Sequence, residues 1–117
     1  MPRATLPEER IHEDIRQTVT DLHADIVAEV ESATHAHPLV VVGMAQNPFV
    51  RKARKLLDQK SVPYHYLEYG SYLNTWRRRT ALKMWTGWPT FPMVFHEGVL
   101  IGGFAELRRH VDSGAIR

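Results

Sequence analysis

The run Leu39-Val40-Val41-Val42 constrains the chain most. Four consecutive apolar residues, three of them β-branched, follow His37-Pro38 without alternating with polar positions, which is the pattern of a strand buried on both faces. Such a strand requires cover above and below, so the fold must have at least three layers. Asn47-Pro48 then reads as a helix N-cap followed by proline in the first turn, with Ala53, Leu56 and Leu57 facing inward along a helix to about Lys60. Val62 to Leu67 is the next strand expected, and its parallel return after a helix makes a βαβ unit with a right-handed crossover. Leu73, Trp76, Thr80 and Met84 mark the expected inner face of a further helix ending near Gly87. Met93-Val94-Phe95, the turn His96-Glu97-Gly98 and Val99-Leu100-Ile101 form a hairpin, and a helix from Ala105 to about Asp112 closes the order β-α-β-α-β-β-α. No internal repeat or low-complexity segment interrupts it.

Residues 1–37 read differently. Ile11, Ile15, Val19, Leu22, Ile26, Val30 and Ala33 form a helical stripe, and Pro7 followed by Glu8 and Glu9 favours a start there. One helix of about 27 residues, roughly 40 Å long, competes with two shorter ones separated near Thr18 to Asp21, whose side chains are good caps. This segment carries three bases and eight acids, net −5, whereas residues 38–117 carry twelve bases and five acids, net +7. The division implies an acidic helical extension, 1–37, in front of a basic domain, 38–117, with the arm lying against a body of its own chain or a partner's. An uninterrupted 40 Å stripe is longer than one small domain can cover, so a homodimer through the N-terminal helix is expected. A length of 117 residues suits one core-bearing domain. No apolar run reaches the ~18 to 20 residues of a membrane span, and Met1-Pro2-Arg3-Ala4 does not open a secretion segment, so a cytoplasmic location without membrane attachment is expected.

The cysteine count is zero. Disulfides, thiolate-bound clusters and cysteine nucleophiles are therefore excluded for this chain. The serines lack a Gly-X-Ser-X-Gly elbow, and the seven histidines offer no spaced triad with carboxylates, so hydrolase chemistry has no support. His35 and His37 lack a third metal ligand and read as a helix-end loop, and no metal site is expected. Arg77-Arg78-Arg79, Arg51-Lys52, Arg54-Lys55 and Arg108-Arg109 could face phosphates, but the helical spacing of Trp76 favours core packing over base stacking, and nucleic acid is not the expected partner.

Three local patterns resemble one family. Trp88-Pro89-Thr90-Phe91-Pro92 resembles the Trp-Pro-Thr-X-Pro element of monothiol glutaredoxins, with Pro92 in the place of their cis-proline. Ile101-Gly102-Gly103 is similar to their glycine pair after the last strand, and Asn47-Pro48-Phe49-Val50 followed by Arg51 and Lys52 is similar to their Cys-Pro-Tyr-Cys stretch. The resemblance covers residues 39 to about 112 and implies a thioredoxin-like α/β fold with a four-stranded mixed sheet. It also exposes a departure, because Asn47 and Val50 occupy the two cysteine positions. A glutaredoxin thiolate is lowered in pKa at a helix N-terminus and attacks disulfides; an amide does neither.

The family's glutathione groove carries over in part. The resemblance implies that Thr90, the Phe91 backbone and Pro92 hold a peptide-like ligand, that Gly102 and Gly103 let it approach, and that Arg79 meets a carboxylate bidentately. Met44 replaces a lysine and Ala105 an aspartate, with Glu106 next in place to compensate for the second. The expectation is a glutaredoxin-related binding or interaction module without thiol catalysis, recognising an unknown protein partner and keeping a partial glutathione groove. No cofactor is required, and glutathione is the ligand to which the resemblance points. The alternative is a glutathione-dependent oxidoreductase or transferase that uses bound glutathione as its thiol. A third reading is an interaction protein whose groove has no ligand.

Overall fold

The computed structural model describes residues 3–71 and 76–117. After a short 3₁₀ turn at Glu8–Arg10 come α1 (Glu13–Asp21) and α2 (Ala24–Ala36), then β1 (Leu39–Gly43), α3 (Pro48–Gln59), β2 (His65–Glu68), α4 (Trp76–Thr86), β3 (Met93–His96), β4 (Val99–Gly102) and α5 (Phe104–Asp112). The strands form one mixed sheet in the order β2-β1-β3-β4, with β1 parallel to β2 and antiparallel to β3, and β3 antiparallel to β4. This is the thioredoxin-like α/β fold, preceded by a helical extension.

Every residue of β1 is buried. Leu39 and Val41 face one side, where they meet Ala53 and Leu57 of α3 and Leu107 of α5. Val40 and Val42 face the other, where they meet Leu82 of α4 and Ile26, Val30 and Ala33 of α2. The period-two alternation of a strand thus divides one apolar run between two cores. The β3–β4 turn, Glu97-Gly98, has positive φ at both residues (51° and 80°), the handedness that matches the right-handed twist of a two-residue hairpin.

The N-terminal stripe is split rather than continuous. His23 adopts a left-handed conformation (φ 49°, ψ 34°) and turns the chain between α1 and α2. Ile26, Val30 and Ala33 enter the core, but Ile15, Val19 and Leu22 are exposed, and no residue of α1 is buried. The break lies just beyond the Thr18–Asp21 stretch that the caps suggested. Acidic side chains of α2 do reach the basic body: Asp25 Oδ2 accepts from Arg78 Nη2 at 2.7 Å, and Glu29 accepts from the Tyr69 hydroxyl. Desolvation and the bond to Glu29 push the Tyr69 phenol above its ordinary pKa of 10.

Two further expectations need correction. The second strand begins at His65, not Val62, because Ser61 turns with positive φ, Pro63 has no N–H to donate, and Val62 instead plugs the core from the preceding loop. The inner face of α4 is Arg79, Ala81 and Leu82, while Trp76 and Met84 are exposed; Leu73 lies outside the described residues. A charged residue on the inner face, Arg79, masks the helical pattern that periodicity detects. His37 stacks flat on His65, with centroids 4.0 Å apart. Among the described residues, no helix is long and apolar enough to cross a membrane.

The split predicts two classes of mutational effect. Ile26→Ala should lower unfolding stability by about 2–5 kcal/mol in urea titrations, the usual cost of emptying a buried aliphatic site. Val19→Ala, on the uncovered half, should stay within about 0.5 kcal/mol for the isolated chain.

Candidate functional site

The sheet register brings three loops to one end of the molecule. Val42 at the end of β1 pairs with Met93 at the start of β3, and Val94 pairs with Gly102 at the end of β4. The loop after β1, the turn before β3 and the glycine pair after β4 therefore converge there. Between them lies a cavity of about 260 Å³. Phe49, Trp88, Phe91 and Phe104 supply aromatic lining, Thr90, Pro92, Gly103 and Ala105 line it as well, and Glu106 contributes a carboxylate. Of the clefts larger than this one, two, of about 460 and 430 Å³, run along the outside of α3, the second between α3 and α5, and each has several lysine or arginine side chains in its lining.

Each wall has a local cause. Asn47 caps α3: its Oδ1 accepts from the N–H groups of Phe49 (2.9 Å) and Val50 (3.1 Å), and Pro48 occupies the first helical position, where no N–H is needed. The cap sets Phe49 toward the cavity while Val50 turns into the core. Thr86 Oγ1 donates to Leu82 O and accepts from Trp88 N at 3.1 Å, fixing the tryptophan after α4 ends. The Phe91–Pro92 peptide bond is cis. Gly102 has φ 122°, and a Cβ there would lie 2.7 Å from Glu106 Cγ, so the glycine is what lets the Glu106 side chain lie back across the turn. Gly103 is the N-cap of α5 and offers no side chain, leaving the first N–H groups of that helix without a capping side chain beside the cavity.

The electrostatics are mixed in sign. Lys52 Nζ stands 5.1 Å from the centroid of the Phe49 ring and Lys83 Nζ 5.8 Å from that of Phe91, so a cation lies over each of two lining rings, although neither lysine is on the lining itself. Glu106 supplies the opposing charge. Trp88 Nε1 is, among the described residues, the one buried side-chain polar atom without a hydrogen-bond partner. It lies 3.6 Å from the position that a Cβ on Gly103 would take, an ordinary contact distance.

Of the residues singled out from the sequence, Thr90, Phe91, Pro92, Gly103 and Glu106 line this cavity together, and Gly102 supports it from behind. Arg79 is not on the lining. Its side chain is buried, and Nη1 donates to the Tyr69 carbonyl at 3.2 Å, so it braces the loop after β2. Met44 is buried in the core. Sequence reasoning missed Phe104 and the two lysines over the lining rings, and it treated Phe49 and Trp88 as motif members rather than walls. Adjacency to the glycine pair could have found Phe104; the lysines come from separate helices and become neighbours only through the fold.

The glutaredoxin family profile matches residues 39–101. A glutaredoxin-like protein of Dictyostelium discoideum is 42% identical over 104 residues, spanning 89% of this chain and 85% of that one. Glutaredoxin 3 of Danio rerio is 31% identical over 80 residues, which are 67% of this chain but 24% of that longer protein. Among solved structures, a buckwheat glutaredoxin–glutathione complex superposes with a TM-score of 0.70 at 26% identity, covering 80% of this chain and 86% of the other. The fold and the cavity define a thioredoxin-like protein with its groove at the glycine-pair end of the sheet. The chain belongs to the glutaredoxin family.

Asn47 should act as a helix cap measurable by stability. Asn47→Ala is expected to cost about 1 kcal/mol in denaturant unfolding, and Asn47→Asp, which keeps the acceptor, should cost much less. Equal losses for both would contradict the capping role.

Proposed function

We propose that this protein is a glutaredoxin-family recognition module without thiol catalysis, and that its groove binds glutathione or a similar short peptide. The observation carrying the proposal is an aromatic cavity with the Glu106 carboxylate in its wall and the cations of Lys52 and Lys83 over two of its lining rings, Phe49 and Phe91. Glutathione carries one ammonium and two carboxylates on a small, partly apolar frame. A carboxylate in the wall suits the ammonium, and the lysine cations together with the uncapped start of α5 suit the carboxylates. The buckwheat relative was solved as a glutathione complex, which supports the choice of ligand. Lys52 and Lys83 would take over the anion contacts for which Met44 and Arg79 are unsuited in their buried positions.

Catalysis is a different matter. Thiol–disulfide exchange needs a sulfur nucleophile on the protein, and with zero cysteines in the sequence the position capping α3 holds a neutral amide whose oxygen already accepts two N–H groups. The pattern resembles the monothiol branch in Trp88-Pro89-Thr90-Phe91-Pro92, so we assign the chain to that branch, with a cytoplasmic site of action. The second reading, glutathione serving as the thiol in an oxidoreductase or transferase reaction, is favoured by the same groove but requires a second substrate site beside it.

Reduced glutathione should raise the Tm of the wild-type chain in a concentration-dependent way, since a ligand selective for the folded state stabilises it by mass action. Glu106→Gln and Lys83→Gln should each weaken the apparent Kd by ~5- to 10-fold, the scale of one charged contact at a partly exposed site. In parallel, a glutathione mixed disulfide should not be reduced above background at any protein concentration. Absence of any thermal shift would leave the interaction reading in place of the binding one, and turnover proportional to protein would support the enzymatic alternative.

A further inference from the structure

Two helices leave apolar ridges uncovered. On α1 and its C-cap, Ile15, Val19 and Leu22 are 51%, 49% and 53% exposed, at spacings that put them on one side of the helix. On α4, Trp76 and Met84 are 57% and 66% exposed, eight residues apart with exposed Thr80 between them. The ridges have similar lengths, about 10 to 12 Å at 1.5 Å per residue. They do not cover each other within one chain, because both remain exposed.

Their charges are opposite. The residues of α1 include Glu13, Asp14 and Asp21 against Arg16 alone, a net of −2, whereas α4 contains Arg77, Arg78, Arg79 and Lys83 and no acid, a net of +4. Arg78 is already engaged with Asp25 and Arg79 is buried, but Arg77 sits on the exposed side with its guanidinium 5.3 Å from the Trp76 ring centroid. The molecule measures 51 × 35 × 23 Å, elongated for a chain of this size.

We propose that the occupant of both ridges is a second copy of this chain: α1 of each protomer lies along the Trp76–Met84 ridge of α4 of the other, the two contacts being related by a two-fold axis. One sequence supplies both halves of the complementary pair, which is the condition for a closed isologous dimer. The apolar ridges bury each other, and the acids beside α1 face the cations of α4. This contact differs from pairing of the two arms with each other, because it makes α4 as necessary as α1. It also stands independently of whether the groove holds a ligand.

The full-length protein should sediment with a mass near twice 13.5 kDa. Val19→Glu and Met84→Glu each place a charge in the apolar contact, and each should raise the dimer dissociation constant at least ~10-fold. An equimolar mixture of the two variants should associate more strongly than either alone, because the mixed dimer keeps one intact contact between α1 of the Met84→Glu chain and α4 of the Val19→Glu chain. Circular dichroism confirms that each variant remains folded, which both exposed positions lead us to expect. A wild-type chain still monomeric at ~1 mM, where even a weak specific contact would form, overturns the proposal. So does a dimer insensitive to Met84→Glu, the result expected of arm-to-arm pairing, or a mixture that shows no recovery.

Discussion

Burial of β1 on both faces is the condition on which the rest depends. Leu39 and Val41 require α3 and α5 on one side, and Val40 and Val42 require α4 on the other. That second side is also where α2 lies, with Ile26 and Val30 packed in the same cluster. The extension is thus part of the core as far back as Ile26 and a separate helix before His23. The parallel β1–β2 pair and the antiparallel β1–β3 and β3–β4 pairs then bring three chain reversals to the same end of the sheet. The cavity is a consequence of that register: Phe49 arrives from the start of α3, Phe91 and Pro92 from the turn before β3, and Phe104 from the start of α5.

At the tip of α3 the physics of a helix terminus can be used in two ways. Its orphan N–H groups can lower the pKa of a thiol, or they can be satisfied by a neutral capping oxygen. Asn47 does the second, with both Phe49 N and Val50 N bonded to its Oδ1. The terminus gains stability and loses the sulfur chemistry. On the proposed reading, recognition falls to the neighbouring surface, where Gly103 has no side chain with which to cap the start of α5. The buried, unpaired Trp88 Nε1 beside Gly103 is a second group whose environment a nearby ligand would alter.

Much of this was legible from residues alone, and the failures have physical reasons. The apolar run 39–42, the Asn47-Pro48 start, the His96-Glu97-Gly98 turn, of which His96 proves to end β3, and the element order are local signals, and each corresponds to an observed feature. Thr90, Phe91, Pro92 and Gly103 sit in contiguous motifs, Glu106 lies three residues past the glycine pair, and all five meet in one cavity. Motif position says nothing of where a long side chain goes: burial and the Tyr69 carbonyl take Arg79 inward, off the lining of this cavity. Helical spacing with Leu73 and Met84 assigns Trp76 to the core, but the inner face of α4 includes the charged Arg79, which no hydrophobic period describes. The N-terminal stripe kept its periodicity straight through His23, so spacing could not reveal that its two halves have different fates.

The central claim is that a groove built for a peptide-like ligand operates here without a thiol. Amide chemical-shift mapping of the full chain with reduced glutathione tests it most directly. The account predicts saturable shifts concentrated at the Trp88 indole N–H, Phe91 and the Gly103 to Glu106 amides, with the basic outer face of α3 around Lys55 and Gln59 unmoved. Shifts confined to that basic face, or none at all, would contradict it.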